Sequence, residues 1–509
     1  MELPHFLFLL LLLITTISLP LLLLLILRRH MWCSCQVCTA YRTSSWARDF
    51  PNLSDWYTHL LRASPTQTIH IHIIRNTITA NPVVVEHILR SRFENYPKGK
   101  QFSRILGDFL GAGIFNVDGY SWSFQRKHAS SELGSLSIRN FAFENVKSEI
   151  ENRLLPLLTS FSGSWSREFD LQEVFKRFSF DNVCTFSFGF DPGCLDLSLP
   201  MSRFADAFDL AAKLSAQRAL TVSPMVWKIK RILNVGSERR LREAAAVVKA
   251  LAGDVIRNKR KLRFPGRHGG DLLSRFMDCV RDEVYLRDIV ISFILAGRDT
   301  MASAMTAIFW LIKDRPEVVE RIRNEADRVI GCSDKAAGAT TFPSYDQLKE
   351  MHYLQAAVYE SLRLYPPVQF DSKFALEDDE LPDGTAVRRG TRVMYHPYAM
   401  GRMESIWGPD CMEFRPERWL DRNGKFVNQN PYKYPVFQAG VRVCLGKEMA
   451  IVEMKTVVLT VVREFDVTVV EPSSNIQFDP GLTAFVRGGL KVLIRKRSDA
   501  GPNNGDDDI

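Results

Sequence analysis

One cysteine lies in a loop whose residue types could produce a reactive or metal-binding thiolate. Residues 437–446 read Phe-Gln-Ala-Gly-Val-Arg-Val-Cys-Leu-Gly and place Cys444 immediately before a predicted helix. Glycines let the backbone approach closely, and a helix N-terminus beside Arg442 and Lys447 favours the thiolate over the thiol. A phosphate loop is excluded, because Glu448 stands where that motif needs Ser or Thr. Cys444 could be a nucleophile, a metal ligand or a buried structural thiol.

Three other segments carry charged or hydroxyl side chains at informative spacings. Glu360 and Arg363 lie one helical turn apart and could form a weak surface pair. Residues 416–419 read Pro-Glu-Arg-Trp. Residues 296–300 read Ala-Gly-Arg-Asp-Thr in the middle of a long periodic segment. There the hydroxyl of Thr300 can bond the carbonyl four residues earlier, which would loosen the helix.

These four segments, in this order along the chain, resemble the cytochrome P450 monooxygenases. They match the family's oxygen-activation sequence, its Glu-x-x-Arg, its Pro-Glu-Arg-Phe segment (with Trp for Phe) and its haem-thiolate loop. The resemblance covers essentially the whole chain and implies the cytochrome P450 fold, mainly α with a small β region. It implies heme b with the Cys444 thiolate as axial iron ligand, whose electron push favours O–O cleavage. The implied reaction inserts one oxygen atom of O2 into a C–H bond, and the other atom leaves as water.

The resemblance also assigns roles to individual residues. The residues implied to hold the haem are Phe437, Arg442, Trp122, Arg126 and Lys373. The cations among them are implied to bind the haem propionates by charge-assisted hydrogen bonds. Those implied to route protons to O2 are Asp299 and Thr300. Those implied to form a buried network supporting the cysteine loop are Glu360, Arg363 and Arg418.

Segments near residues 95–116, 365–375 and 440–454 resemble the plant branch that oxidises aliphatic chain ends, with fatty-acid ω-hydroxylases and jasmonoyl-amino-acid hydroxylases. We expect a carboxylate-bearing lipid or oxylipin and favour 12-hydroxylation of jasmonoyl-isoleucine. Fatty-acid ω-hydroxylation and sterol side-chain hydroxylation are the alternatives. An apolar tunnel should narrow over the iron and hold the carboxylate far from it. The residues predicted to line it are Phe109, Phe115, Ile294, Ala296, Val368, Phe370 and Phe485.

The chain shows no dinucleotide or flavin fingerprint, since Asn116 stands where the third glycine after Gly111 and Gly113 is needed. A separate NADPH–cytochrome P450 reductase is therefore the expected electron source. Its docking surface is predicted to include Lys127, Lys433 and Lys447. A reductase-independent, peroxide-rearranging haem enzyme and a non-enzymatic haem carrier are the rivals of other classes. The Asp-Thr pair argues against both.

Composition excludes disordered, collagen-like and coiled-coil chains. Of 509 residues, 46% are hydrophobic and 24% charged, as in ordinary globular proteins. The net charge of +8 is too small and too dispersed to indicate nucleic acid, and fits an acidic partner or a membrane surface. The nine cysteines form no recognisable disulfide framework, which favours a reducing compartment.

Residues 6–27 are almost wholly apolar and long enough to cross a bilayer as a helix. Residues 1–30 are therefore predicted to be a single-pass anchor in the endoplasmic reticulum membrane. A cleavable signal peptide is less consistent with Met-Glu-Leu-Pro at the start. Arg28 and Arg29 place the catalytic domain in the cytosol, so the sequon at Asn52 should stay unglycosylated. No clear proline-rich hinge follows the anchor.

Residues 33–38 read Cys-Ser-Cys-Gln-Val-Cys. Zinc binding would need a fourth ligand, palmitoylation is possible next to a membrane, and an inert linker is the third interpretation.

The elements that must position these residues follow from periodicity. A small sheet is predicted at residues 68–79, helices over most of 138–313 with breaks at Pro156, Pro192, Pro224 and 264–270, and further helices at 346–365 and 447–465. Strands are predicted near 466–470 and 490–494. The predicted organisation is an anchor (1–30), a linker leading into the domain (31–65), a haem-thiolate monooxygenase domain (66–498) and a disordered acidic tail (499–509).

Overall fold

The computed structural model describes residues 12, 14–22, 33–163, 167–196, 203–262, 271–331, 342–470 and 476–497. The predicted break at 264–270, the predicted tail and most of the predicted anchor lie outside the described residues. The helices of the first half are α1 (Gln36–Thr43), α2 (Leu53–Ala63), α3 (Pro82–Glu86), α4 (Gly99–Leu110), α5 (Gly119–Leu133), α6 (Leu136–Glu149), α7 (Leu155–Ser162), α8 (Leu171–Phe188), α9 (Arg203–Leu220), α10 (Pro224–Leu233) and α11 (Gly236–Leu262). Those of the second half are α12 (Leu272–Cys279), α13 (Glu283–Ile312), α14 (Pro316–Ile330), α15 (Tyr345–Glu350), α16 (His352–Leu364), α17 (Pro397–Met400), α18 (Glu404–Trp407) and α19 (Lys447–Glu464).

The strands are short and form small sheets at the periphery of the helical body. They are β1 (Thr68–Ile71), β2 (Asn76–Thr79), β3 (Phe169–Asp170), β4 (Asp371–Phe374), β5 (Asp379–Glu380), β6 (Ala386–Val387), β7 (Arg392–Tyr395), β8 (Phe465–Val469), β9 (Phe478–Asp479), β10 (Phe485–Val486) and β11 (Lys491–Lys496). One sheet has the order β1-β2-β7-β4, in which only the β2–β7 pair is parallel. A second sheet has the order β3-β11-β8. The prediction of a mainly α fold with a small β region is confirmed.

Helix α13 is the central element, and it packs against α8, α16 and α19. Its C-terminal half is buried at every position from Met301 to Ile312. Among the described residues, this helix alone is long and apolar enough to cross a membrane by length and composition, with a mean hydropathy of 1.2 over its best window. That window is 72% buried inside the fold, as expected of a core helix.

The helix predicted over residues 346–365 is interrupted once. Met351 adopts a non-helical backbone (φ −82°, ψ 82°), so that α15 ends and α16 begins on either side of it. The carboxylate of Glu325 accepts the backbone N–H groups of Tyr353 (2.7 Å) and Leu354 (2.8 Å), which caps the new helix start. A cap supplied from a distant helix leaves no signal in the local sequence.

The break predicted at Pro156 is wrong. The helical backbone runs from α6 through a π-helical turn at Ile150–Leu154 into α7, whose first turn contains the proline. The wider turn and the N-terminal position remove the clash that proline causes inside a helix.

Candidate functional site

A cavity of about 660 Å³ lies between the middle of α13, the cysteine loop, α5 and strand β4. Most of its wall is apolar, and polar and charged side chains from several elements complete it. Cys444 lines one wall, and Thr300 and Ala296 from α13 line another. The sequence separates these two walls by more than 140 residues, and the fold brings them to one space.

The cysteine loop is fixed by its own backbone. The N–H of Cys444 donates to the carbonyl of Phe437 at 2.8 Å. Gly440 has a φ of +64°, and a Cβ there would collide with the carbonyl oxygen of Leu89, so only glycine fits. Burial raises the pKa of the Cys444 thiol, while the Gly446 N–H and nearby cations act in the opposite direction. The Cys444 side chain is exposed where it lines the cavity.

Helix α13 widens where it passes the cavity. Residues Leu295–Asp299 form a π-helical turn, and the hydroxyl of Thr300 donates to the carbonyl of Ala296 at 2.6 Å. The predicted hydroxyl-to-carbonyl bond is therefore present. Gly297 lets α8 approach, because a Cβ there would come within 2.5 Å of Val183. The widened turn presents a hydroxyl and a carbonyl to an otherwise apolar wall.

Asp299 lies on the other side of this helix and does not line the cavity. Its carboxylate accepts from the Arg298 guanidinium at 3.0 Å, and Arg298 also donates to Asp209. Burial raises the pKa of Asp299 to about 6, against the lowering effect of Arg298. Asp209 is 30% exposed, so the buried carboxylate is connected through Arg298 to the protein surface. The predicted pair thus separates into a hydroxyl at the cavity and a carboxylate behind it.

Four predicted haem-holding side chains, Trp122, Arg126, Lys373 and Arg442, meet at one edge of the cavity. The Arg442 guanidinium lies 4.5 Å from the centroid of the Trp122 ring and donates to Asp118 at 2.6 Å. Within the described chain, the buried Nζ of Lys373 and Nε of Arg442 have no hydrogen-bond partner. Burial, with Lys98 next in importance, lowers the pKa of Lys373 to about 7. Phe437 also lines the cavity.

Three residues of this cationic edge were not predicted: Lys98, Asp371 and Gln438. Lys98 donates to Asp371, and Asp371 also accepts from Gln438 at 3.3 Å. Despite burial, Lys98 and Lys373 hold the pKa of Asp371 far below its usual range. A single carboxylate therefore balances two buried lysines, and the surplus positive charge is available to an anionic ligand. The three residues belong to no common motif, so no spacing signal could have found them.

The predicted support network is brought together and buried. Arg363 and Glu360 are both fully buried and form a two-point pair at 2.7 and 2.8 Å. Arg418 donates to the same carboxylate at 3.3 Å, and the indole of Trp419 donates to it at 2.9 Å. A phenylalanine could not make that last bond. Trp419, which stands where the family's segment has phenylalanine, therefore adds one hydrogen bond to the Glu360 carboxylate.

Aromatic rings connect this network to the cysteine loop. Tyr434 lies edge-on to Trp419 at 4.8 Å and donates its hydroxyl to the carbonyl of Tyr359 at 3.1 Å. Tyr359 in turn contacts the ring of Phe437 at 6.3 Å. These packed rings therefore hold the start of the cysteine loop in a fixed position relative to the buried charges.

Of the predicted tunnel residues, Phe115, Ala296, Val368 and Phe370 line the cavity. The other three do not, and their assignment is corrected. Phe109 is fully buried edge-on against Phe208, and Ile294 lies in the same helical core. Phe485 packs under the ammonium group of Lys176. In all three cases, helix or strand orientation turns the side chain away from the cavity.

The comparisons with known proteins agree on one family. The family model "Cytochrome P450" matches residues 58–493. Cytochrome P450 94C1 of Arabidopsis thaliana is 59% identical over 476 residues, covering 93% of this chain and 95% of the relative. Cytochrome P450 94B3 of Arabidopsis thaliana is 48% identical over 88% of each chain, and cytochrome P450 94A1 of Vicia sativa is 45% identical over 87% of this chain and 86% of the relative. The chain belongs to the cytochrome P450 family.

A solved structure agrees with this assignment at the level of the fold. The crystal structure of the cytochrome P450DA heme domain superposes with a TM-score of 0.68 at 18% identity, covering 83% of this chain and 88% of that one. This protein is therefore a haem-thiolate monooxygenase, with O2 as substrate and a redox partner as electron source. The resemblance to the plant branch is likewise confirmed by relatives from two plants.

The residues present fit a haem. The sulfur of Cys444 faces the cavity, and the cationic edge offers buried N–H donors that make no hydrogen bond within the described protein. Two propionate groups are the anions that such an edge would bind. Apolar walls on the remaining sides suit a flat macrocycle.

Proposed function

We propose that this enzyme hydroxylates the aliphatic chain end of a carboxylate-bearing lipid or oxylipin, with jasmonoyl-isoleucine as the favoured substrate. One observation carries the proposal. The apolar cavity has the Cys444 thiol at one place in its wall. Of the lining arginines away from the haem edge, Arg139 is paired with Glu448 and Arg487 with Asp479, whereas the guanidinium of Arg392 has only uncharged hydrogen-bond acceptors among the described residues. A ligand with an apolar chain and one carboxylate matches that distribution of groups. The relatives support the same branch of the family.

We assign Cys444 as the iron ligand and Trp122, Arg126, Lys373 and Arg442 as the propionate-binding group. When bound, the haem supplies one-electron and O2 chemistry, which no amino-acid side chain provides. Thr300 holds a hydroxyl proton at the cavity wall through its bond to Ala296. Asp299 can take up and release a proton behind that wall, since its pKa, raised by burial to about 6, lies near physiological pH. The network of Glu360, Arg363 and Arg418 keeps the loop in place.

Arg392 is the candidate for holding the substrate carboxylate. Its guanidinium donates to the hydroxyl of Ser372 at 2.9 Å and to the carbonyl of Ala219 at 3.0 Å, both uncharged acceptors. Burial lowers the pKa of Arg392, so a buried anion would relieve an unfavourable charge. Gln369, two residues before strand β4, also lines the cavity and offers an amide group. Arg487, another lining cation, is already paired with Asp479 at 3.3 Å.

Selectivity for a chain end must come from positioning, because a terminal methyl group has the strongest C–H bonds in the chain. Val368 and Phe370 beside β4 and Ala296 on α13 line the cavity. A carboxylate held at Arg392 would fix how far the chain reaches past them. The chain length that fits would then decide between an oxylipin conjugate and a fatty acid.

Side-by-side turnover tests the proposal. The enzyme with a plant reductase is incubated with jasmonoyl-isoleucine, lauric acid, a sterol and a fatty-acid hydroperoxide, with and without NADPH. We expect NADPH-dependent 12-hydroxylation of jasmonoyl-isoleucine at the highest kcat/KM. Efficient oxidation of lauric acid with the conjugate untouched would favour the fatty-acid alternative. Conversion of the hydroperoxide without NADPH would contradict the monooxygenase assignment for this site.

Arg392→Gln tests the carboxylate assignment. Losing a charge-assisted bond of about 1.5–3 kcal/mol should raise KM for the free acid roughly 10- to 100-fold. The methyl ester of the same substrate should respond little, and Arg487→Gln is the matched control that should leave both unchanged. Equal losses for acid and ester would mean that Arg392 is structural and would reject its role as anchor.

We also propose that the N-terminal segment anchors the enzyme in the endoplasmic reticulum membrane with the catalytic domain in the cytosol. Residues 14–22 are helical with exposed apolar side chains, among them Leu19, which is 69% exposed. A bilayer would cover such a surface. Asn52 is a poor reporter of orientation, because its buried amide donates to Asp55 and to the carbonyl of Ile476. A sequon in a polar extension fused ahead of Met1 should be glycosylated, because this orientation places the N-terminus in the lumen.

For reductase docking, the three predicted lysines are not equivalent. Lys127 is exposed, whereas Lys433 lies 4.5 Å above the Trp407 ring and Lys447 lies 5.6 Å from the Phe437 ring. We propose that Lys127 contributes mainly to association with an acidic reductase surface. Lys127→Gln should slow haem reduction at low salt and not at high salt. Unchanged kinetics at low salt would exclude this contribution.

A further inference from the structure

Three thiols and one imidazole meet where the catalytic domain begins. The ligand atoms of Cys33, Cys35, Cys38 and His72 all lie within 4.8 Å of one another. The sulfur of Cys33 is 3.4 Å from that of Cys35 and 3.6 Å from Nδ1 of His72. The three cysteines alone fall one ligand short of a tetrahedral site. The fold supplies the fourth ligand, His72, from 34 residues beyond Cys38.

Two separate elements build the cluster. Cys35 is the N-cap of α1, and its sulfur accepts the N–H of Cys38 at 3.4 Å. Cys38, in the first turn of that helix, is fully buried, and its sulfur accepts the N–H of Ile73. His72 begins the turn between strands β1 and β2. Backbone N–H groups that donate to sulfur are outer-shell bonds of the kind that orient metal-bound thiolates.

We propose that Cys33, Cys35, Cys38 and His72 bind one Zn²⁺ ion in a closed structural site. Tetrahedral zinc with bonds of about 2.3 Å to sulfur and about 2.0–2.1 Å to nitrogen puts its sulfurs roughly 3.8 Å apart and each sulfur roughly 3.6 Å from the nitrogen. The distances at Cys33 are close to these values before any metal is added. Three thiolates and an imidazole select zinc over magnesium or calcium, and four protein ligands leave no open position for catalysis.

The competing fates of these thiols fit the structure less well. A lipid chain on Cys38 would have to enter the protein core, where that side chain is fully buried. A disulfide between Cys33 and Cys35 would not account for the proximity of Cys38 and His72. It also needs an oxidising compartment. The zinc site uses all four groups at once.

The site would connect the chain that leaves the anchor to the wall of the cavity. Zinc would join the start of α1 to the turn between β1 and β2. Further along α1, the hydroxyl of Tyr41 donates to the carbonyl of Leu220 at 2.9 Å, and Leu220 lines the cavity. The metal would therefore fix the approach of the anchor relative to the substrate chamber.

Metal analysis of the full-length protein tests the proposal. The chain is purified in detergent without a polyhistidine tag or chelator, and zinc and haem iron are measured per chain. We expect one zinc per chain, with X-ray absorption at the zinc edge showing three sulfurs and one nitrogen. Cys35→Ser and His72→Asn should each lose the zinc while the reduced carbon monoxide spectrum shows a folded haem domain.

Two controls are matched to these variants. Cys279→Ser removes an exposed cysteine outside the cluster and should keep the zinc. His70→Asn removes an imidazole whose ring centroid is 4.6 Å from that of His72, and it should also keep the zinc. Loss in His70→Asn with retention in His72→Asn would reject the ligand set. Wild-type protein without zinc, with a Cys33–Cys35 disulfide or a thioester-linked lipid in its intact mass, would overturn the proposal.

Discussion

Trp419→Phe tests the buried network beneath the cysteine loop by removing a single hydrogen-bond donor, the indole N–H. The indole N–H of Trp419 donates to Oε2 of Glu360 at 2.9 Å, and both side chains are fully buried. The substitution keeps an aromatic ring and removes that donor. Because the acceptor is a carboxylate, the lost bond is a charge-assisted one.

The magnitude follows from what Glu360 retains. A hydrogen bond to a charged group contributes about 1.5–3 kcal/mol, and a bond between neutral groups about 1 kcal/mol. Oε2 still accepts from Nε of Arg363 at 2.7 Å, so the carboxylate is not left without a donor. We therefore expect a loss of roughly 2 kcal/mol in the free energy of unfolding, plus the packing cost of a smaller ring.

Trp407→Phe is the matched control. Its indole donates at 3.0 Å to the neutral carbonyl of Met400, and its ring is also buried, against Trp419. The ring contraction is the same, so the two variants differ in the charge on the acceptor and in the cation–π contacts of the Trp407 ring. Arg363 and Lys433 lie over the Trp407 ring at 5.3 and 4.5 Å, and a weaker cation–π contact in the control makes the comparison stricter.

Urea unfolding of the haem-loaded enzymes, followed by far-UV circular dichroism, gives the free energies from midpoint and slope. Loss of the long-wavelength band of the reduced carbon monoxide complex, which requires the thiolate ligand, reports separately on the cysteine loop. Trp419→Phe should lose roughly 1 kcal/mol more than Trp407→Phe and lose its thiolate band at lower urea. Equal losses, or a larger loss in the control, would refute the reasoning from the charged acceptor.

The remaining predictions concern the cavity. Cys444→Ala should abolish the long-wavelength band of the reduced carbon monoxide complex. Cys411→Ala, which removes a buried cysteine elsewhere, should keep the band. A band of full strength in Cys444→Ala would contradict the ligand assignment. Burial raises the pKa of Asp299 to about 6, so the folded state holds a proton that the unfolded chain releases between about pH 4 and pH 6. Stability should therefore fall as pH rises through that window in the wild type more than in Asp299→Asn, and parallel urea midpoints from pH 4 to 7 would disagree with it. Val368→Ala should shift oxidation from the chain end to inner carbons because it widens the cavity, and Ile294→Val, which does not line the cavity, should leave the product ratio unchanged.

The parts of the site that the sequence could predict are those in which one segment carries the information. The cysteine loop, the Thr300 bond to Ala296 and the pairing of Glu360 with Arg363 are each contained within ten residues or fewer. Local spacing also predicted α19 close to its observed ends.

What the sequence could not provide depends on distant elements. Asp371 is balanced by Lys98 from α4's start, 273 residues away, and His72 joins three cysteines from a different element. The orientation of Phe109, Ile294 and Phe485 depends on which face of each element meets the core, and all three are apolar like true tunnel residues. Apolar character alone does not distinguish a side chain facing a cavity from one facing a core.

The apolar length of α13 matters for how the chain is made. If synthesis takes place at a membrane, a nascent segment of this hydropathy passes the insertion machinery before α8, α16 and α19 can cover it. Arg298 and Asp299 stand within it, and each charge at the centre of a span costs about 2.5–3.5 kcal/mol on insertion scales. In that case the same two residues that form an ion pair behind the cavity would oppose insertion of the central helix into the bilayer. Replacing both with leucine should produce a misinserted, protease-sensitive chain, even if the packed domain could accommodate the new side chains.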